Sequence, residues 1–106
     1  MNNKIEHFYL ELPKDTDNEN EGFEIPNGET WLVKEVILQA GSTPDTVTCL
    51  VFGEEILLAT YGSVVVNLNR RITGAEGKAV QLKFHNGYNK AQIMGGSYTL
   101  RKDEGY

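Results

Sequence analysis

Apolar side chains in this chain alternate with polar ones or gather in runs too short for a helix, and turn residues interrupt them at intervals of about eight to twelve positions. No stretch repeats them at the i, i+3, i+4, i+7 spacing of an amphipathic helix. The pattern therefore predicts an all-β chain: a single antiparallel β-sandwich, jelly-roll-like, of about eight short strands. The densest stretch is Ile56–Leu68 (ILLATYGSVVVNL), two apolar runs parted by Tyr61-Gly62-Ser63. Val64, Val65 and Val66 are stiff at χ1 and fit a pleated strand. Two buried central strands are expected here, with the outer strands wrapped around them.

Read in order, Lys4–Leu12 alternates, placing Phe8, Leu10 and Leu12 on one face and His7, Tyr9 and Glu11 on the other, and Pro13 ends it. Residues 14–22 (KDTDNENEG) hold four acids and no apolar residue, so an exposed acidic loop is expected. Phe23–Ile25 is extended and Pro26-Asn27-Gly28-Glu29 is a turn. Thr30–Ala40 changes face partway: Trp31 and Val33 are odd, whereas Val36, Leu38 and Ala40 are even. One extra residue at Lys34-Glu35, a β-bulge, reconciles them. Thr46–Phe52 is a strand apolar on both faces, turned by Gly53-Glu54-Glu55. Ile72 is expected in the core, Gly74–Gly77 is a turn, and Ala79–His85 alternates again. Asn86–Lys90 turns with Tyr88 at its tip. Gly95-Gly96 then marks a bulge or a close approach of two backbones.

The chain's 106 residues fit one domain, residues 1–106, which buries about 65% of its unfolded surface without metal or disulfide. The lone Cys49 has no internal partner and is expected to be buried and unreactive in its strand, as in a protein folded in a reducing cytosol. No apolar run approaches the ~20 residues that span a bilayer, and MNNKIEHFYLEL has no signal-peptide core, so a soluble protein without a membrane role is expected. A net charge of −5 disfavours nucleic acid. The charge is uneven along the chain: residues 1–55 carry 3 basic and 12 acidic side chains, residues 56–106 carry 7 and 3. Either the halves interleave and the charges mix, or the subunit is bipolar and packs head to tail with its copies.

No motif carries chemistry. The spacing Asp15-x-Asp17-x-Glu19-x-Glu21 starts like a calcium loop, but Asn20 stands where that loop needs glycine and Pro26 where it needs a closing glutamate. His7 and His85 lack a second ligand at metal spacing, and adjacent Glu54-Glu55 point to opposite faces, unlike a glycosidase pair. Nucleophile elbows, phosphate loops and dinucleotide fingerprints are missing. A non-enzyme is expected, with no catalytic residue, cofactor or metal. Trp31 and Tyr61 adjoin apolar runs and are read as core or core-edge. Four residues are candidate partner contacts: Tyr9 and Tyr88, aromatic where the pattern is polar, and Arg70 and Arg71, the paired basic site in the body of the fold.

The order FxIPxGxxWxVxxV at Phe23–Val36, ILxATYGSVxVxL at Ile56–Leu68 and GxxGxxxxLxF at Gly74–Phe84 resembles small jelly-roll structural proteins of tailed bacteriophages, over about residues 23–100. The resemblance implies a non-catalytic virion protein made in the host bacterial cytoplasm. Its expected role is capsid cement or decoration, as a homo-oligomer, commonly a trimer, seated on major capsid protein or another virion protein. Tail or fibre placement is the variant of this reading. A carbohydrate- or protein-binding module is the alternative; it calls for exposed aromatics along one face, for which the sequence offers Tyr9, Tyr88 and Tyr106.

Overall fold

The computed structural model describes residues 3–103; Tyr106 lies outside them. Among the described residues the chain forms nine strands: β1 (Asn3–Leu12), β2 (Thr16–Glu19), β3 (Phe23–Glu24), β4 (Thr30–Gln39), β5 (Thr46–Phe52), β6 (Glu54–Thr60), β7 (Ser63–Thr73), β8 (Ala79–Asn86) and β9 (Gln92–Asp103). They build two packed antiparallel sheets. Sheet A runs β1-β9-β4-β7 and sheet B runs β2-β8-β5-β6, with β3 also paired to β8.

The pairings are nested: β5 with β6, β4 with β7, β2 and β3 with β8, β1 with β9. The chain is thus one long antiparallel ribbon folded back at Gly53, whose φ of 76 suits glycine, and then rolled until β4 meets β9 and β5 meets β8. That is a jelly roll. The ribbon also accounts for the uneven charge. In each sheet every strand of the acidic first arm is flanked by strands of the basic second arm, and Lys83–Glu19, His85–Asp17 and Lys102–Glu29 join one arm to the other. The two halves interleave, so a polarity of sequence becomes a mixture in space and the bipolar subunit is not found.

Inward side chains of both sheets form the core: Leu12, Trp31, Val33, Val36, Leu38, Leu50, Ile72, Val80, Leu82, Phe84, Met94, Tyr98 and Leu100 are buried. Phe8 stacks on Phe84 and Trp31 meets the edge of Phe23, with ring centroids 5.8 and 5.0 Å apart. The Lys34-Glu35 bulge is present. Val33 pairs with Leu100 and Val36 with Tyr98, so β4 spends one residue more than β9 at that level. β7 spends one more again, since Val33 faces Arg70 and Glu35 faces Asn67, and the surplus is taken up at Asn69, whose φ is 49. The irregularity widens from β9 to β7.

Several expectations fail. Ile56–Leu68 does not form a central pair: β6 and β7 lie in different sheets, each at an edge, and the Tyr61-Gly62 turn carries the chain across. A run of valines reports a half-buried pleated surface, which an edge strand also offers. Tyr61 is consequently exposed rather than core-edge. The expected acidic loop holds β2, which pairs with β8 although it has nothing apolar to bury. Asp17 faces His85 and Glu19 faces Lys83, and Asn20 accepts the Leu82 N–H through Oδ1. Glu54 and Glu55 belong to β6, leaving Gly53 alone at the tip. Cys49 is half-covered, not buried: Thr48 and Leu50 point inward, so its thiol is on the outer face of sheet B. Gly95-Gly96 makes no bulge in the β1–β9 register; a β-carbon on Gly95 would fall 2.0 Å from Tyr9 Cδ1.

Candidate interaction surface

The outer face of sheet A is built by the odd residues of β1 and β9 and by Leu32, Ile37 and Gln39 of β4, because their even or bulge-shifted neighbours turn inward. Ile5, Tyr9, Ile93 and Val65 stand on it, all large and all more than half exposed. Tyr9 is set by Gly95 opposite. The missing side chain lets the ring lie down over the β9 backbone, so an aromatic on an outer strand is held by the sheet rather than waving in solvent.

Beside Tyr9, at the end where the β4–β5, β6–β7 and β8–β9 connections cross between sheets, lies a shallow cleft of about 450 Å³ lined by Glu11, Gln39, Ser42, Ser63, Gln92 and Ile93 among others. Its polar groups are largely engaged. Gln92 Oε1 accepts from both the Ser42 N–H and the Ser42 hydroxyl, and Gln39 donates to the Ile93 carbonyl. A second cleft, about 460 Å³, sits on the outer side of β2 and β8 beside Asp17, Asn18, Glu19, Lys83, Phe84 and His85. His85 Nδ1 is 2.5 Å from Asp17 Oδ1, the geometry of an oriented histidine, but its lining holds no serine, threonine or cysteine that such a base could activate. Among the described residues no three His, Cys, Asp or Glu side chains gather as a metal site.

The four expected contact residues do not form one patch. Tyr9 is on β1, one edge of sheet A, and Arg70 and Arg71 are on β7, the opposite edge. Both arginines are paired within the chain: Arg71 Nε with Asp103 Oδ2 at 2.7 Å, Arg70 with Glu54 at 3.5 Å. Tyr88 is half-buried in the β8–β9 turn, where its N–H donates to Asn86 Oδ1.

Two buried residues that brace the fold were not singled out by the sequence pattern. Asn86 is fully buried, and its side-chain N–H₂ reaches the carbonyls of Leu12, Pro13 and Lys90, which ties the β1–β2 corner to the β8–β9 turn. Its turn-forming composition was the visible signal and its burial was not. Tyr98 is the largest fully buried side chain and gives its hydroxyl proton to the Val80 carbonyl at 2.6 Å. Burial, and then the negative Glu6, push that phenol far above its ordinary range. Ile93, the exposed aliphatic beside Tyr9, also went unnamed, although its alternation with Met94 is plain in the sequence.

No family model matches this chain, and no curated protein matches it. Solved structures similar to it include a protein of Bacillus endospore appendages, described as a novel family of disulfide-linked pili, at 10% identity over 94% of this chain and 85% of that one, with a TM-score of 0.46. Another is the Drosophila NLP core, described for pentamer formation and histone binding, at 10% identity over 88% of this chain and 96% of that one, with a TM-score of 0.35.

Proposed function

We propose that this protein is a non-catalytic structural protein that works by seating one sheet against another protein, and that its place is a bacteriophage virion, as a capsid cement or decoration protein. The observation that carries the reading is the outer face of sheet A, where Ile5, Tyr9 and Ile93 stand exposed on a backbone braced by a rolled double sheet. Apolar side chains held on a rigid layer lose little freedom on docking, and tyrosine is enriched in such contacts. The virion assignment draws on the resemblance of Phe23–Val36, Ile56–Leu68 and Gly74–Phe84 to phage jelly-roll proteins, with tail or fibre placement as its variant. The trimer loses the support of charge polarity, because the two arms interleave.

The test is co-sedimentation of the purified chain with capsids assembled from tailed-phage major capsid protein. The chain is expected to travel with the particles and Ile93→Asp to remain at the top of the gradient. A wild-type chain that never leaves the top of the gradient overturns the reading. A carbohydrate-binding module is the second reading, favoured by the flat Tyr9 ring next to the polar cleft of Glu11, Gln39 and Gln92. A glycan array probed with the same protein decides it, with Tyr9→Ala as the control.

A further inference from the structure

A sheet edge left open invites another strand, and proteins commonly guard it with charges, proline or a bulge. Two of the four edges here are guarded along their length: β1 carries Lys4, Glu6, His7 and Glu11, and β2 carries Asp17 and Glu19. β6 opens with Glu54-Glu55 and then runs uncharged through Ile56–Thr60. The longest uncharged run lies on β7. Along β7 the guard is confined to its second half, where Asn69 takes up the bulge and Arg70 and Arg71 follow. Ser63–Leu68 precedes it without a charge, with three β-branched residues in succession, and Val65 is 68% exposed on the outer face. Tyr61 and Leu58, both exposed, flank the same side of the molecule.

We propose that Ser63–Leu68 of β7 is a docking edge for a second copy of this chain, paired antiparallel with its own counterpart about a twofold axis at Val65. The side-chain period supports that register. Val65 meets Val65 on the outer face, Val64 meets Val66 on the inner face with Leu68 beyond it opposite Gly62, and Ser63 meets Asn67, so no pair sets a polar side chain against an apolar one. Pairing stops where it should, because Asn69 bends each strand away before the arginines. The β1 or β2 edge of a second copy would lay carboxylates along these valines, and the uncharged run of β6, Ile56–Thr60, is shorter and starts beside Glu54-Glu55. The product is one eight-stranded sheet, β1-β9-β4-β7-β7-β4-β9-β1, with Tyr61 of each copy level with the bulge of the other. This goes beyond the virion reading and does not depend on it.

Sedimentation of the full chain tests the proposal. A dimer is expected, and Val65→Lys, which sets two like charges face to face, raises its dissociation constant by about 100-fold or more. Because Val65 is exposed in the single chain, the circular dichroism of that variant stays that of the wild type, and its melting temperature matches the wild type's at concentrations low enough for both to be monomers. In a Cys49→Ser background, Val65→Cys oxidises to a disulfide-linked dimer, since the position lies against its own copy. A wild-type chain still monomeric at about 1 mM, a trimer, or a dimer indifferent to Val65→Lys overturns the proposal. So does an oligomer that Val65→Lys breaks but Val65→Cys fails to cross-link, since its contact would be heterologous.

Discussion

Tyr98 and Glu29 show how single polar atoms are managed in and around this core. The Tyr98 ring fills the space between the sheets, and its hydroxyl proton satisfies the Val80 carbonyl. Tyr98→Phe keeps the ring and removes the donor, so a fall in unfolding free energy of about 1–3 kcal/mol is expected in urea titrations, at unchanged slope. Glu29 works from the rim. The Trp31 indole N–H donates to its Oε1 at 3.0 Å and Lys102 lies 3.4 Å from Oε2. These contacts, the Trp31 hydrogen bond first, hold its carboxyl below the ordinary value of 4.5 against the opposing effect of burial. A folded-state value below the unfolded one means stability that is present above the ordinary value and is lost as pH falls through the lowered one. Wild type is therefore expected to exceed Glu29→Gln in urea midpoint at pH 7, with the two curves converging below pH about 4. Curves that stay parallel down to pH about 2 would show that the Glu29 contacts do not stabilise the fold.

Among the elements, β2 is the one whose existence composition argues against, and its pairing shows what composition omits. A segment with no apolar residue cannot bury a face, but it can dock on an edge when each outward acid meets a base on the facing strand, as Asp17 meets His85 and Glu19 meets Lys83. Exposed pairs of this kind are individually weak, so β2 is expected among the less protected strands of sheet B. Amide exchange should be faster in Thr16–Glu19 than in β8 or β5. Asp17→Lys together with Glu19→Lys, which faces like charges across the ladder, should abolish that protection while the melting temperature falls by about 5 °C or less. A loss of protection across β8 and β5 as well would make β2 a part of the cooperative core. The strands with a buried face were legible in the sequence for the complementary reason. Period-two burial wrote β1, β4 and β8 into the order of residues, and the change of parity between Val33 and Val36 placed a bulge that the register then showed. Which strand lies at an edge was not legible, since Val64–Val66 reads alike in the middle or at the rim. For the candidate surface, alternation alone placed Tyr9 outward. The pairing of Arg70 with Glu54 joins strands of different sheets, and that of Arg71 with Asp103 joins residues 32 apart, neither of which alternation shows.

At the scale of the whole molecule, the ribbon decides how charge is felt at a distance. An acidic arm and a basic arm laid out end to end would form a dipole able to draw copies together head to tail. Rolled together, each strand of one arm lies within one strand spacing, about 4.8 Å, of a strand of the other, which is less than the screening length of about 8 Å at physiological salt. Seen from a neighbour the opposite charges largely cancel, and what remains is the net −5, a weak repulsion between copies. Association must then come from apolar contact. The expected outcome is a self-association constant that holds or rises slightly between 0.05 and 1 M salt, since added salt reduces the screening length to about 3 Å and removes the repulsion without touching the valine edge. Sedimentation velocity at the two ionic strengths measures it. A complex that dissociates at 1 M salt would mean that a charged surface, not Ser63–Leu68, joins the copies.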